Sequence, residues 1–177
     1  RTIDEMIGRT DCLDIEAAVN HWKANGLDLA PLLQVPDLAS SVVRRRVREQ
    51  DHGLERALDN ELIVRCRSAL DHGTPVEFSS FVRNSDRTIG TMLGYEVTKQ
   101  HGGAGLPDDT INMTFTGSAG QSFGAFGAKG LSLLLEGDAN DYLGKGLSGA
   151  RIVVHPQKGS NFVFEENILV GNVCLYG

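Results

Sequence analysis

The sequence predicts a mainly β chain: a single-stranded parallel β-helix, or solenoid, preceded by a short α-helical and irregular segment. Three observations predict it. β-prone runs recur at Ile111–Thr116, Leu131–Glu136, Arg151–Pro156 and Asn172–Tyr176, with starts 20, 20 and 21 residues apart. A repeat of this length with one strand per period is a solenoid signature. Glycine is uneven: 4 of 21 glycines lie in residues 1–89 and 17 in residues 90–177. Many fall between the runs, at Gly124, Gly127 and Gly130 and again at Gly144, Gly146 and Gly149, where tight corners need φ > 0 and close backbone approach. No helical period is read between the runs, which argues against βαβ units.

The elements follow in chain order. Ile15, Ala18, Val19 and Trp22 fall on one helical face, with Asp14 placed to cap that helix and Gly26 to end it. Residues 27–38 hold Pro31 and Pro36 and read as an irregular strap. Arg44, Arg45, Arg46 and Arg48 form a basic run, but Glu49, Asp51 and Glu55 follow at once. A solvated or internally paired surface is therefore expected rather than a phosphate site. Residues 59–72 read as a second helix with Leu62, Cys66 and Leu70 as its apolar stripe, Gly73 at its end and Pro75 barring continuation. Weaker copies of the repeat are expected from Val76 and from Tyr95. The division is thus 1–74, a helical and irregular lead-in, and 75–177, the repeats.

Composition narrows the function. The chain has 177 residues, 41% hydrophobic and 23% charged, enough for one core without staples. Its net charge of −6 argues against nonspecific nucleic-acid binding. No stretch approaches the roughly 20 apolar residues of a membrane span, and no signal peptide is visible at the start, so a cytoplasmic setting is expected, or a plastid in a plant. Arg1 in place of Met reads as a processed product or a fragment. Cys12, Cys66 and Cys174 are far apart with no CxxC or CxxH pair, so no zinc or iron–sulfur site is suggested and reduced, mostly buried thiols are expected.

Candidate motifs are weighed against plainer readings. Gly144–Gly149 matches GxGxxG, but the dinucleotide fingerprint needs a helix after it, and here Ala-Arg-Ile-Val-Val-His follows. No GxxxxGK[ST] loop exists. Glu136, Asp138 and Asp141 are the one acidic cluster that could supply an acid/base pair for polysaccharide cleavage. Turn formation through their own backbone is the favoured reading of the aspartates. The five histidines show no HxH or HExxH spacing, and no GxSxG elbow is present. Spacing therefore assigns no catalytic, cofactor-binding or metal residue.

Long strings then become distinctive. GSAGQSFGAFGAKGL (117–131) and EGDANDYLGKGLSGARIVV (136–154) resemble the C-terminal GXGXG domain of the glutamate synthase large subunit. MIGRTD (6–11), HWKANGLDLAPLL (21–33), VREQDHGLERALDNELI (47–63) and RNSDRTIGTMLG (83–94) extend the resemblance along nearly the whole chain. It implies a right-handed β-helix without a catalytic centre, packed between an amidotransferase domain and a flavin barrel that carries FMN and an iron–sulfur cluster. The complete enzyme converts glutamine and 2-oxoglutarate into two glutamates, and this domain would hold the spacing through which ammonia passes. The rival is a free-standing β-helix carbohydrate-active or sugar-binding protein using Glu136, Asp138 and Asp141. Against it, aromatic residues are only 6% and form no ladder. Because the family's solenoid continues for further coils, the run 172–177 is expected to be an open strand edge through which the isolated chain self-associates.

Overall fold

The structure, a computed structural model, describes residues 2–39 and 41–177. It falls into two units, Arg1–His52 and Gly53–Gly177; Arg1 itself lies outside the described residues.

The first unit holds three short helices: α1 (Ile3–Met6), α2 (Ile15–Val19) and α3 (Ala30–Leu33). Each start has a local cause. Thr2 and Glu5 close a capping box on α1. Asp14 Oδ1 accepts from the Ala17 N–H at 3.0 Å, as the sequence expects. Asp28 Oδ1 accepts from the Ala30 N–H, and Pro31 sits in the first turn of α3, so the expected irregular strap contains one helical turn. The helix expected to reach Trp22 ends at Val19, and Trp22 is 78% exposed.

The second unit is where chain and prediction part. The expected mainly β right-handed solenoid does not form. A single four-stranded parallel sheet does, in the order β1-β2-β3-β4, with three helices: α4 (Asp59–Arg65), α5 (Arg67–His72) and α6 (Thr91–His101). The fold is a mixed α/β one. The strands are β1 (Val76–Val82), β2 (Ile111–Ala119), β3 (Leu131–Ala139) and β4 (Arg151–His155). Two expectations failed for identifiable reasons. Residues 91–101, expected to hold a further strand from Tyr95, are the 11-residue α6, which the chain uses to cross from β1 to β2. Its apolar face is narrow: Leu93, Gly94 and Val97 are the buried positions. The glycine at the fourth position of the helix, Gly94, conceals the period. An added Cβ on Gly94 would lie 2.9 Å from the Phe126 carbonyl oxygen, so only glycine lets this helix approach the loop behind it. The second failure is Asn172–Tyr176, which forms no strand. Val173 and Leu175 have φ of 60° and 55°, incompatible with extended backbone.

The expected helix over 59–72 is present but broken at Cys66, and Gly73 ends it with φ 65° as expected. The strand spacing is carried into the sheet. Ile111 pairs with Leu131 and Leu133 with Ile152, so alternate side chains from neighbouring strands stack. Ile111, Met113 and Phe115 of β2 and Leu131, Leu133 and Leu135 of β3 turn into the core, where Leu62, Cys66 and Leu70 from α4–α5 and Leu93 and Val97 from α6 complete it. Phe115 and Phe123 meet edge to face at 5.5 Å. The opposite face carries the row Ser79, Thr114, Leu134 and Val153.

Candidate functional site

The loops 120–130 and 140–150, each joining successive parallel strands, carry most of the glycine-rich sequence. Their backbones alternate. Positive φ falls at Ser122, Gly124 and Phe126 in the first and at Tyr142, Gly144 and Gly146 in the second. Segment 171–177 repeats the trace, with positive φ at Val173, Leu175 and Gly177. Alternation of this kind turns successive N–H groups into position to bind anions, so the destination of those N–H groups decides the chemistry.

They are engaged by neighbouring loops. Ser122 N–H donates to the Asp141 carbonyl at 2.8 Å, and Tyr142 N–H to that of Asn172 at 2.9 Å. In the opposite direction, Gly124 N–H donates to Ile89, Gly144 N–H to Phe123 and Leu175 N–H to Leu143. Phe126 N–H and Gly146 N–H donate to Lys145 and Tyr176. The corners are therefore stacked layers bonded to one another, with no row of free amides aimed at a phosphate. Gly144–Gly149 runs into β4, not into a helix. The segment 172–177, expected to be a strand, instead repeats this corner conformation and is bonded to the corner at 141–146.

The sequence-selected carboxylates each hold backbone or a neighbouring side chain. Glu136 on β3 accepts from the Lys158 N–H at 2.9 Å. Asp138, two residues on, accepts from Ser118 Oγ of β2 at 2.7 Å. Asp141 Oδ1 accepts from the Asn172 N–H at 2.7 Å and so ties two corners together. Asp138 and Ser118 border a cleft of about 270 Å³ with Gln157, Ser160, Asn167 and Ile168. His155 Nδ1 lies 2.8 Å from the Pro156 carbonyl oxygen.

Asp59, which the sequence marks only as the start of a helix, is the most constrained acid in the structure. It is 3% exposed. Its Oδ1 accepts from the Gly90 N–H at 2.8 Å, and its Oδ2 accepts from Met92 N–H at 2.7 Å and Leu93 N–H at 3.1 Å. These donors open α6, so Asp59 caps a helix 31 residues downstream of itself. Burial pushes its carboxyl above the ordinary carboxylate range, and the three N–H groups pull the other way. The only local signal, an acid ahead of an apolar run, reads as the cap of its own helix.

The cysteines do not fit an iron–sulfur cluster. Against the expectation of mostly buried thiols, Cys12 and Cys174 are exposed and only Cys66 is buried, and among the described residues no three His, Cys, Asp or Glu side chains converge as metal ligands. Burial pushes the Cys66 thiol up to about 12, which keeps it protonated and inert. In the first unit, the Arg9 guanidinium beside Asp11 holds that carboxyl down at about 2. Among the described residues, no helix is long and apolar enough to cross a membrane.

Fold and site together define an α/β domain whose loop amides and selected acids are engaged in holding its own layers together. The chain belongs to the GXGXG motif family, whose model matches residues 59–177. Along its whole length it is similar to glutamate synthase large chains. It is 46% identical over 179 residues to the Bacillus subtilis "Glutamate synthase [NADPH] large chain", of which it spans 12%. It is 48% identical over 178 residues to the Schizosaccharomyces pombe "Glutamate synthase [NADH]", spanning 8%. To the Synechocystis "Ferredoxin-dependent glutamate synthase 2" it is 38% identical over 180 residues, spanning 11%. In each case 100% of this chain is covered, so it corresponds to about a tenth of the curated relatives it matches.

Proposed function

We propose that the chain is a non-catalytic structural domain of a glutamate synthase large chain. In that enzyme, glutamine and 2-oxoglutarate give two glutamates. The domain packs between the amidotransferase and flavin-barrel domains and fixes the spacing across which ammonia passes. The observation that carries the reading is that Glu136, Asp138, Asp141 and Asp59 each hold a hydrogen-bond donor of the domain itself. FMN and the iron–sulfur cluster then belong to other parts of the enzyme. The outward sheet face suits docking, since parallel sheets are normally covered on both sides and Phe81 there is 83% exposed. Relatives whose names carry NADPH, NADH and ferredoxin all contain this region, which supports a role independent of the electron donor. A cytoplasmic setting fits, or a plastid where the source is a plant, as the name of the rice relative says of that protein.

The test of the non-catalytic part uses the chain alone. Purified through gel filtration, it carries no flavin absorbance and no iron, and it forms no glutamate from glutamine and 2-oxoglutarate. Stoichiometric FMN or iron retained through that step would overturn the reading.

A further inference from the structure

Among the described residues of Arg1–His52, not one is buried. Thirteen large apolar side chains between Ile3 and Val47 are exposed, Ile3 and Trp22 at 78% and Leu32 at 81%. The local structure is nonetheless well formed, with side-chain caps at Thr2 and Asp14 and the Asp28 carboxylate accepting from the Ala30 N–H. Holding a residue in one backbone conformation costs about 1–2 kcal/mol, and apolar burial is the main term that offsets such a cost. Here that term is missing, so the conformation needs a surface outside the segment.

Two observations identify the surface. The relatives contain this whole segment within chains of which the present sequence is only 8 to 12%, so most of their surface lies on other domains. The segment also ends on Val42, Val43 and Val47 interleaved with Arg44, Arg45, Arg46 and Arg48. Among the described residues these four arginines are exposed and enter no salt bridge, the solvated form of the surface expected from the sequence. A receiving surface that is apolar and edged with carboxylates satisfies both features.

We propose that residues 2–52 are a docking strap that binds an apolar, carboxylate-edged surface on another domain of the same long polypeptide. This rests on the reading of the chain as one domain of a larger enzyme. Trp22, Leu32 and their apolar neighbours supply the burial, and Arg44–Arg48 fix the register at one end.

Hydrogen exchange read by mass spectrometry, on the chain alone and on the full-length parent enzyme, tests this. In the chain alone, amides of 2–52 exchange within about tenfold of an unstructured peptide at every protein concentration. In the parent they slow by at least about 100-fold. There, Trp22→Ser with Leu32→Ser restores fast exchange in 2–52 and leaves peptides of 111–139 unchanged, while Arg45→Glu with Arg46→Glu restores it around 42–48. Protection already present in the chain alone and independent of concentration would mean that the strap packs on Gly53–Gly177. Protection that grows with concentration would mean a second copy. Fast exchange in both proteins, or parent protection untouched by the variants, would mean that it docks nowhere. Each of these overturns the strap while leaving the structural-domain reading to its own test, the coupling of ammonia to glutamate in the whole enzyme.

Discussion

Asp59 and Gly90 are joined by a 2.8 Å hydrogen bond from the Gly90 N–H to Asp59 Oδ1, across 31 residues of sequence. The bond locks α4 to the start of α6 and to the first corner of the stacked loops. In the corner above, the equivalent donor, Gly124 N–H, has a backbone carbonyl, that of Ile89. A carboxylate side chain thus stands where a further layer would otherwise supply the acceptor.

Asp59→Ala is therefore expected to be costly. It leaves the N–H groups of Gly90, Met92 and Leu93 without their acceptor, and a buried unmet donor costs about 1–3 kcal/mol. A loss of about 3 kcal/mol in urea unfolding of the chain is expected. A loss below about 1 kcal/mol, the net worth of one ordinary hydrogen bond, would show that Asp59 is not the cap.

The same residue gives a pH signature. Its folded carboxyl titrates above its ordinary value of 3.8 because of burial, so the folded state holds the proton more tightly than the unfolded one. Its contribution to stability is full below the ordinary value and declines as pH rises through the folded value. Subtracting the Asp59→Asn profile from that of the unsubstituted chain should isolate a term that falls with rising pH above about 4. A difference rising with pH there would reverse the assignment.

Local chemistry made part of the fold legible. Asp14 caps the helix it precedes, Gly73 ends the one before it, and the β-prone runs at Ile111, Leu131 and Arg151 start strands at those residues. What escaped depended on contacts distant in sequence. Gly94 weakens the helical pattern of 91–101 in the sequence, yet is present because a helix must approach Phe126. Val173 to Tyr176 has strand-like side chains, yet its backbone follows the corner at 142–146 to which it is bonded. With α6 unseen and a strand wrongly added, a four-stranded α/β unit reads as a β solenoid. Of the site, neither acid was legible: Asp141, read as bonding its own backbone, instead accepts from the Asn172 N–H 31 residues on, and nothing near Asp59 announces Gly90.

Gly94→Ala should destabilise the chain although alanine is the better helix former by about 1 kcal/mol. The new Cβ meets Phe126 O at 2.9 Å and Ala128 N at 3.4 Å, both backbone atoms. Overpacking of that kind costs about 1–3 kcal/mol. Thermal unfolding of the variant checks it, and a raised midpoint would mean that α6 does not approach the loop as described.

Asp141→Ala should cost about 1 kcal/mol through loss of the Asn172 N–H bond. Asp138→Asn should stay within about 0.5 kcal/mol, since Asp138 is exposed and Asn retains an acceptor for Ser118. Neither change should alter any glycan-cleaving activity, because none is expected of the unsubstituted chain. Glycan hydrolysis by the chain that disappears in both variants would instead support the carbohydrate-active reading.

The central claim, a domain that sets spacing and performs no chemistry, is tested most directly by stoichiometry in the full-length parent enzyme carrying Gly137→Val. Gly137 has φ +154°, and a Cβ there would run into the Gly117 carbonyl oxygen across the β2–β3 pair, so the substitution forces these strands apart. Glutamine hydrolysis should continue while free ammonia appears and the yield falls from two glutamates per glutamine towards one. Two glutamates per glutamine with no released ammonia, while hydrogen exchange shows the β2–β3 pairing broken, would contradict the claim.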